Sequence, residues 1–513
     1  MNTHCCARRD FLRAVGLGIG SLVFSGCTGA SELSGGGRSA KKRPNILFCL
    51  ADDWSWPHAS IAGDKVVRTP TFDRVAREGV LFKKAFVTAP SCTPSRGSIV
   101  TGQWHWRLEE GGNLWSTLPA KFEVYPDILE QAGYHVGFTR KGWGPGRDEP
   151  GGRKRNPAGP RYKNFGQFLK ARPDEKPFCF WFGSTDPHRG YKWQSGVNSG
   201  MKLENVEVPA CLPDSEEVRT DICDYYWEVQ RFDREVGELL EILEENGELD
   251  NTLVVISGDN GMPFPRCKSN LYDWGTNVPL AVRWPTRVKG GRVVEDFISL
   301  ADLAPTFLEA AGLKPTANMT ARSFLSVLAS GKSGRVDPKR DHVLTGKERH
   351  VPCQETGMGG YPMRAIRTHD FLYIRNFKPD RWPAGAPKAY AQPTEIVVSR
   401  PRGTFYGYGD IDAAPTKSYM LKYRDDPKVK KLFELGFGKR PAEELYDLQK
   451  DPDQLNNVAD EAEYARVKSE LAAALMAELK ATKDLRVLGK GDAFDKYPYY
   501  GGMPDRKPAK TKR

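Results

Sequence analysis

The chain has 513 residues, 39% hydrophobic and 27% charged, enough to bury a full core and long enough for two domains. Its formal net charge of +11 suits a polyanionic partner, yet the basic residues are spread along the chain and no nucleic-acid motif accompanies them. The apolar stretch from Ala14 to Phe24 is too short and too glycine-rich for a permanent membrane span.

Arg8-Arg9-Asp10-Phe11-Leu12-Arg13, followed by that apolar run, resembles a twin-arginine export signal. Ser25-Gly26-Cys27 after it resembles a lipobox, with Phe24 where leucine is usual, so Cys27 is the expected lipidation site. Residues 1–27 are therefore expected to be a signal, and 28–43, with Gly35-Gly36-Gly37, a flexible linker. The protein is expected to be exported to the periplasm or outer envelope, with the twin-arginine machinery as a partner and a lipid anchor at Cys27.

The run Asn45 to Ala51 is β-rich and apolar and ends in Asp52-Asp53. In Ser91 to Gly102, Pro94 opens a predicted helix that Gly102 ends, aiming unpaired N–H groups at any anion that meets Cys92. Gly133 to Phe138 reads as a strand before Thr139-Arg140-Lys141, and Phe178 to Phe182 as another before Ser184 to Arg189, which includes His188. A helix is predicted from Asp221 to Glu245, where Tyr225, Val229, Phe232, Val236, Leu239, Leu240 and Leu243 form an apolar stripe closed by Asn246-Gly247. Leu253 to Ile256 reads as a buried strand ending in Ser257-Gly258-Asp259-Asn260-Gly261, and Lys268 follows.

Strands alternating with helices imply an α/β fold, a large mostly parallel sheet flanked by helices, over residues 44–335. A smaller C-terminal α+β domain is expected over 336–490, with short strands such as Phe371 to Ile374 and a terminal helix from Ala459 to Lys480, then a basic tail over 491–513. In such sheets ligands sit outside the C-terminal strand ends, so the two acidic pairs converge on one place. Hard oxygen ligands of this kind suit Ca²⁺ or Mg²⁺ and not zinc.

The spacing Cys92-x-Pro94-x-Arg96 with Thr101-Gly102 resembles the signature of the sulfatases, in the alkaline-phosphatase-like superfamily. That resemblance implies that a separate maturation enzyme oxidises Cys92 to Cα-formylglycine, whose hydrate attacks sulfur. It assigns Asp52, Asp53, Asp259, Asn260 and the residue made from Cys92 as ligands of a divalent ion, usually calcium. Arg96 then holds the formylglycine and the sulfate, Lys141 and Lys268 bind the sulfate, and His188 assists the leaving group. Where the family places a histidine two residues after the first lysine, this chain has Trp143; His105 and His135 are the candidate substitutes.

Asp186-Pro187-His188-Arg189, Asp259 to Pro265 and Tyr361-Pro362-Met363-Arg364 resemble the subgroup that includes heparan N-sulfatase. The resemblance implies a sulfate ester or sulfamate on a sulfated glycan or glycosaminoglycan, such as the N-sulfoglucosamine of heparan-type chains, with His350 and Arg364 as substrate contacts. O-sulfated polysaccharides stand as the alternative substrate, and a non-catalytic binder of sulfated glycans as the alternative function. Among the cysteines, Cys211 with Cys223 is a plausible local disulfide, and Cys49 and Cys179 read as small buried hydrophobes.

Overall fold

A computed structural model describes residues 43–174, 176–387 and 407–501. The export signal, the lipidation site Cys27, residues 28–42 of the linker and residues 502–513 of the basic tail lie outside the described residues. In chain order the strands are β1 (Asn45–Ala51), β2 (Val80–Phe82), β3 (Ala85–Phe86), β4 (His135–Arg140), β5 (Phe178–Gly183), β6 (Thr252–Gly258), β7 (Leu280–Arg283), β8 (Arg292–Val294) and β9 (Ile298–Ser299). Four more follow after residue 335: β10 (His342–Lys347), β11 (Met363–Thr368), β12 (Phe371–Asn376) and β13 (Glu443–Asp447).

β1, β5 and β6 are buried at every position, as strands covered on both faces must be. β1 pairs in parallel with both neighbours, placing Cys49 opposite Phe182 on one side and Ile256 on the other. The sheet runs β4-β5-β1-β6-β7-β2-β8, and β7 is its one antiparallel member among the described strands. Alternation along β1 splits the core in two. Leu47, Cys49 and Ala51 face the layer holding the helix Glu216–Glu245, while Ile46, Phe48 and Leu50 face Ile99, Val100 and Phe307. Each such large apolar side chain contributes roughly 1.5–3 kcal/mol when fully buried.

The long helix begins at Glu216, five residues before the predicted start, because the Ser215 hydroxyl accepts from the Val218 N–H and caps it. All seven stripe residues are buried. The expected Cys211–Cys223 disulfide is absent: every described cysteine is free, and the Cys211 thiol meets Cys267 instead. Cys49 and Cys179 are buried in the sheet as small hydrophobes.

β10-β11-β12-β13 form a second, antiparallel sheet. The helix Ala465–Ala481 covers it, with Leu475 and Leu479 clustered with Leu344, Ile366, Tyr373 and Leu445. Residues from Arg43 onward cluster as one compact unit that contains these two sheets and the two-stranded pair β3-β9. Among the described residues no helix is long and apolar enough to cross a membrane.

Candidate active site

Parallel pairing puts the C-terminal ends of β4, β5, β1 and β6 on one rim, and that rim gathers the acidic pairs. Asp52 and Asp53 follow β1, and Asp259 and Asn260 follow β6. Ligand atoms of Asp52, Asp53, Cys92 and Asp259, all four buried, lie within 4.8 Å of one another. Asp53 holds φ 78°, a left-handed conformation that costs a non-glycine residue of order 1–3 kcal/mol and that here turns the carboxylate inward. Its N–H donates to Asp259 Oδ1 at 2.9 Å, and Asn260 Nδ2 donates to its Oδ1 at 2.6 Å.

Cys92 opens the helix Cys92–Thr101, two residues before the predicted start at Pro94. Proline in the first turn is harmless because its missing N–H would have no helical partner there. The helix stops at Gly102, whose φ is 64° and where a Cβ would come within 2.9 Å of the Met319 side chain, so only glycine fits. Ser91, the N-cap, does not cap with its side chain; its Oγ lies 2.8 Å from His350 Nδ1. The Cys92 Sγ is 3.4 Å from Asp52 Oδ1. Burial, reinforced by Asp259 and Asp52 and only partly offset by Lys141, raises this thiol's pKa well above the ordinary value. As a cysteine it is therefore a neutral, poor nucleophile.

Three cations close the site. Arg96, fully buried, donates from Nε to Asp259 Oδ2 at 2.7 Å and from Nη1 to the carbonyls of Lys141 and Gly142, bracing the helix against the ends of β4 and β6. Lys141 Nζ reaches both oxygens of Asp52 at 2.6 Å. Lys268 Nζ donates to Asp53 Oδ2 at 2.7 Å and to Asp412 at 3.2 Å. Burial opposes ionisation of Asp52, but Lys141, His188, Arg96 and Lys268 outweigh it and hold its pKa far below the usual carboxylate range. Asp259 is pushed up to about 6, by burial first and by Asp52 and Asp53, against Arg96. His188 stands at the mouth, its Nε2 3.9 Å from Asp53 and its side chain 38% exposed.

A hard divalent cation fits these residues. The donors are oxygen-rich, three carboxylates crowd within 4.8 Å so that burial first, then Asp52 and Asp53, push the Asp259 pKa up in spite of Arg96, and Asn260 Oδ1 is buried with no hydrogen-bond partner.

The structure brings His350 to the site and takes Arg364 away from it. His350 is 3% exposed and held neutral, its pKa lowered to about 4 by burial first, with Lys268 adding to that against Asp410 and Asp412. Arg364, expected to touch substrate, is fully buried in β11 and bound by Asp484 and Glu348, each at 2.6 Å, so its guanidinium has no reach to a sugar. Neither candidate for the missing histidine is placed to serve. His135 begins β4, at the strand end opposite Lys141, and stacks on Phe168 at 4.5 Å; His105 is wholly buried beside Gly346 and Arg364. Trp143 itself is a core residue, 4% exposed, with Nε1 3.6 Å from where a Cβ on Gly97 would stand.

Asp412 was not foreseen. It pairs with Lys268 and forms, with Asp53 and His188, a second close group of ligand-type atoms. Nothing local marks Asp410-Ile411-Asp412 beyond an ordinary turn; only tertiary folding brings it here.

The sulfatase family profile matches residues 44–157 and 158–313. The chain is 26% identical over 515 residues to an ulvan-active sulfatase of Formosa agariphila, spanning 89% of this chain and 78% of that protein. It is 29% identical over 385 residues to human N-sulphoglucosamine sulphohydrolase, spanning 66% of this chain and 74% of that one. A protein solved in complex with its substrate D-glucosamine-2-N,6-O-disulfate superposes with a TM-score of 0.59 at 20% identity, over 86% of this chain and 99% of that one, which shows a shared fold. With its signature cysteine, acidic rim and mostly parallel sheet in one place, the chain belongs to the sulfatase family and is a sulfate ester hydrolase.

Proposed function

We propose that this chain releases inorganic sulfate from sulfated glycans after Cys92 is oxidised to Cα-formylglycine, with N-sulfoglucosamine of heparan-type chains as the substrate and O-sulfated polysaccharides such as ulvan as the second reading. The observation that carries it is the meeting of Cys92 with Asp52, Asp53 and Asp259 inside 4.8 Å, under Arg96, Lys141 and Lys268. The second reading is kept because ulvan-active sulfatases are also among the relatives.

Asp52, Asp53, Asp259, Asn260 and residue 92 would hold the cation, Ca²⁺ or Mg²⁺. When bound, that cation and the formylglycine hydrate supply an activated oxygen nucleophile and neutralise sulfuryl charge. Lys141 and Lys268 bind the sulfate oxygens, and Arg96 fixes the helix start relative to both acidic pairs. His188, at the mouth, donates a proton to the departing oxygen or nitrogen. His350, neutral and tied through Nδ1 to Ser91 next to Cys92, accepts a proton at Nε2 in place of the histidine that Trp143 replaces. The same reading has residues 1–27 directing twin-arginine export to the periplasm or outer envelope, with a lipid anchor at Cys27.

The test is a tryptic mass spectrum of protein co-produced with a formylglycine-generating enzyme, paired with sulfate release from N-sulfoglucosamine and from ulvan oligosaccharides. We expect the residue 92 peptide to show the Cys→formylglycine mass change and sulfate to be released from the N-sulfated sugar. Release from ulvan alone moves the substrate to the second reading. A fully converted protein that releases no sulfate from either would leave a glycan binder as the answer.

A further inference from the structure

A cavity of about 390 Å³ lies apart from the acidic centre and shares no residue with it. It sits at the seam of the two sheets, lined by the Trp56-Pro57 loop after β1, Lys83 and Lys84 between β2 and β3, the Asp273 to Asn277 turn, Arg367 and His369 at the end of β11, and the 448–454 segment after β13.

Its lining divides into two chemistries. One is cationic. Arg367 is fixed there by Asp273 at 2.8 and 2.9 Å and lies over the rings of Phe86 and Phe297. The Lys84 ammonium has no ion pair or hydrogen bond among the described residues, although it is partly buried next to Arg367. His369 Nε2 is buried without a partner. Lys84, half-buried with Asp273 and Glu295 as the nearby carboxylates, and the unbonded nitrogen of His369 leave donors free beside the fixed guanidinium that an anion could take. The other chemistry suits a sugar ring. Trp56 and Trp274 bring two indoles to the lining, and Asn277 and Gln454, 6% and 2% exposed, each keep one amide atom unbonded, Oδ1 and Nε2. Aromatic faces with a few convergent amides and a cationic end are what a pocket for an anionic saccharide contains.

We propose that this cavity is a second saccharide site that binds a sulfated sugar unit of the polymer, Lys84, His369 and Arg367 taking the sulfate and Trp56, Trp274, Asn277 and Gln454 the ring. The proposal rests on the sulfated-glycan reading above. It makes the enzyme hold a chain at two points, so that linked units gain effective concentration at the rim.

The experiment uses the full chain carrying Cys92→Ala, which cannot turn over, titrated calorimetrically with a heparan-type hexasaccharide, the same hexasaccharide without sulfate, and inorganic sulfate. We expect two classes of site for the sulfated hexasaccharide. Adding Lys84→Ala with His369→Ala, or Lys84→Glu alone, weakens one class about tenfold and leaves the other. In the converted enzyme the same changes raise KM for the polymer and leave turnover of the monosaccharide unchanged. Thermal melts of both variants confirm folding. Identical binding by parent and both variants overturns the proposal. Equal affinity for inorganic sulfate and sulfated sugar reduces the cavity to an anion site and overturns it as a saccharide site. A parent chain that cannot hydrolyse the monosaccharide defeats the catalytic reading alone, because hexasaccharide binding by the Cys92→Ala protein is read independently.

Discussion

Two clusters of buried charge invite comparison. At the rim, Asp52, Asp53 and Asp259 face Arg96, Lys141 and Lys268; under the second sheet, Glu348 and Asp484 face Arg364 and Arg486. The second cluster is closed: Arg364 meets a carboxylate through Nε and Nη2 and two carbonyls through Nη1, and Arg486 reaches Glu348 at 2.6 Å. The first is left incomplete. Arg96 Nη2, 3.7 Å from Asp52, and Asn260 Oδ1 are buried without hydrogen-bond partners, and Asp53 is held at a left-handed φ. Buried charge alone therefore does not mark a site, since both clusters have it; unfilled hydrogen bonds and stored backbone strain distinguish the one built to receive something.

The largest effect should come from emptying the rim. Cys92→Ala is expected to bring sulfate release to background, and Asp53→Ala to lower kcat/KM about 10³-fold or more, the scale of losing a group that stabilises developing charge. Cys92→Ala should keep the unfolding midpoint near that of the parent, because removing a neutral thiol strands no charge, and Asp53→Ala should lower it only modestly, because Lys268 keeps Asp412 as a partner. A loss of stability in Asp53→Ala as large as the one expected for the closed cluster would erase the distinction between the two. The closed cluster should behave oppositely. Arg364→Met strands Asp484 and leaves Glu348 with Arg486 alone, so a loss of about 3–5 kcal/mol is expected in denaturant unfolding, with the pH profile of any remaining activity unchanged. An unaltered stability with impaired sugar binding would return Arg364 to the substrate.

A smaller effect tests the histidine. His350→Gln should lower kcat about 10²-fold with KM little changed, the lower end of what a positioned base supplies. Trp143→His in that background should not rescue it, because position 143 is packed against Gly97 in the core. Rescue would show that the ring reaches the acidic centre after all.

What the sequence disclosed and what it hid divide along the same physical line. The sheet, Asp52-Asp53, Asp259-Asn260 and the Cys92 helix were legible because each is a local pattern: an apolar run long enough for a buried strand, then polar residues where the strand must end. Their convergence followed from parallel topology. His350, Asp410 and Asp412 were not legible, or not in their roles, because their positions depend on how the second sheet folds back over the Cys92 helix, where Asp410 accepts from the Val351 N–H and Lys347. Arg364 misled for a related reason. A charged residue in a short strand looks exposed until Asp484, 120 residues later, arrives to bury it.

The smallest effect concerns a third buried charge, intermediate between the two clusters. Glu228, 6% exposed on the long helix, is pushed up to about 7 by burial first and by Asp186, with Arg231 at 2.5 Å opposing. A free glutamate titrates near 4.3, so between that pH and about 7 the folded chain binds a proton that the unfolded chain releases. Stability must therefore fall as pH rises through this window and level off above it. Glu228→Gln removes the titration. The shift corresponds to a few kcal/mol at most, and losing the partner of the half-exposed Arg231 takes some back, so a net gain of about 1–2 kcal/mol over the parent is expected at pH 8. At pH 5, where the carboxyl is mostly protonated in the folded chain, the gain should vanish. Urea unfolding of both proteins at the two pH values measures it. An equal difference at pH 5 and pH 8 would mean that Glu228 is ionised throughout, and hence belongs with the closed cluster, its charge fully met by Arg231.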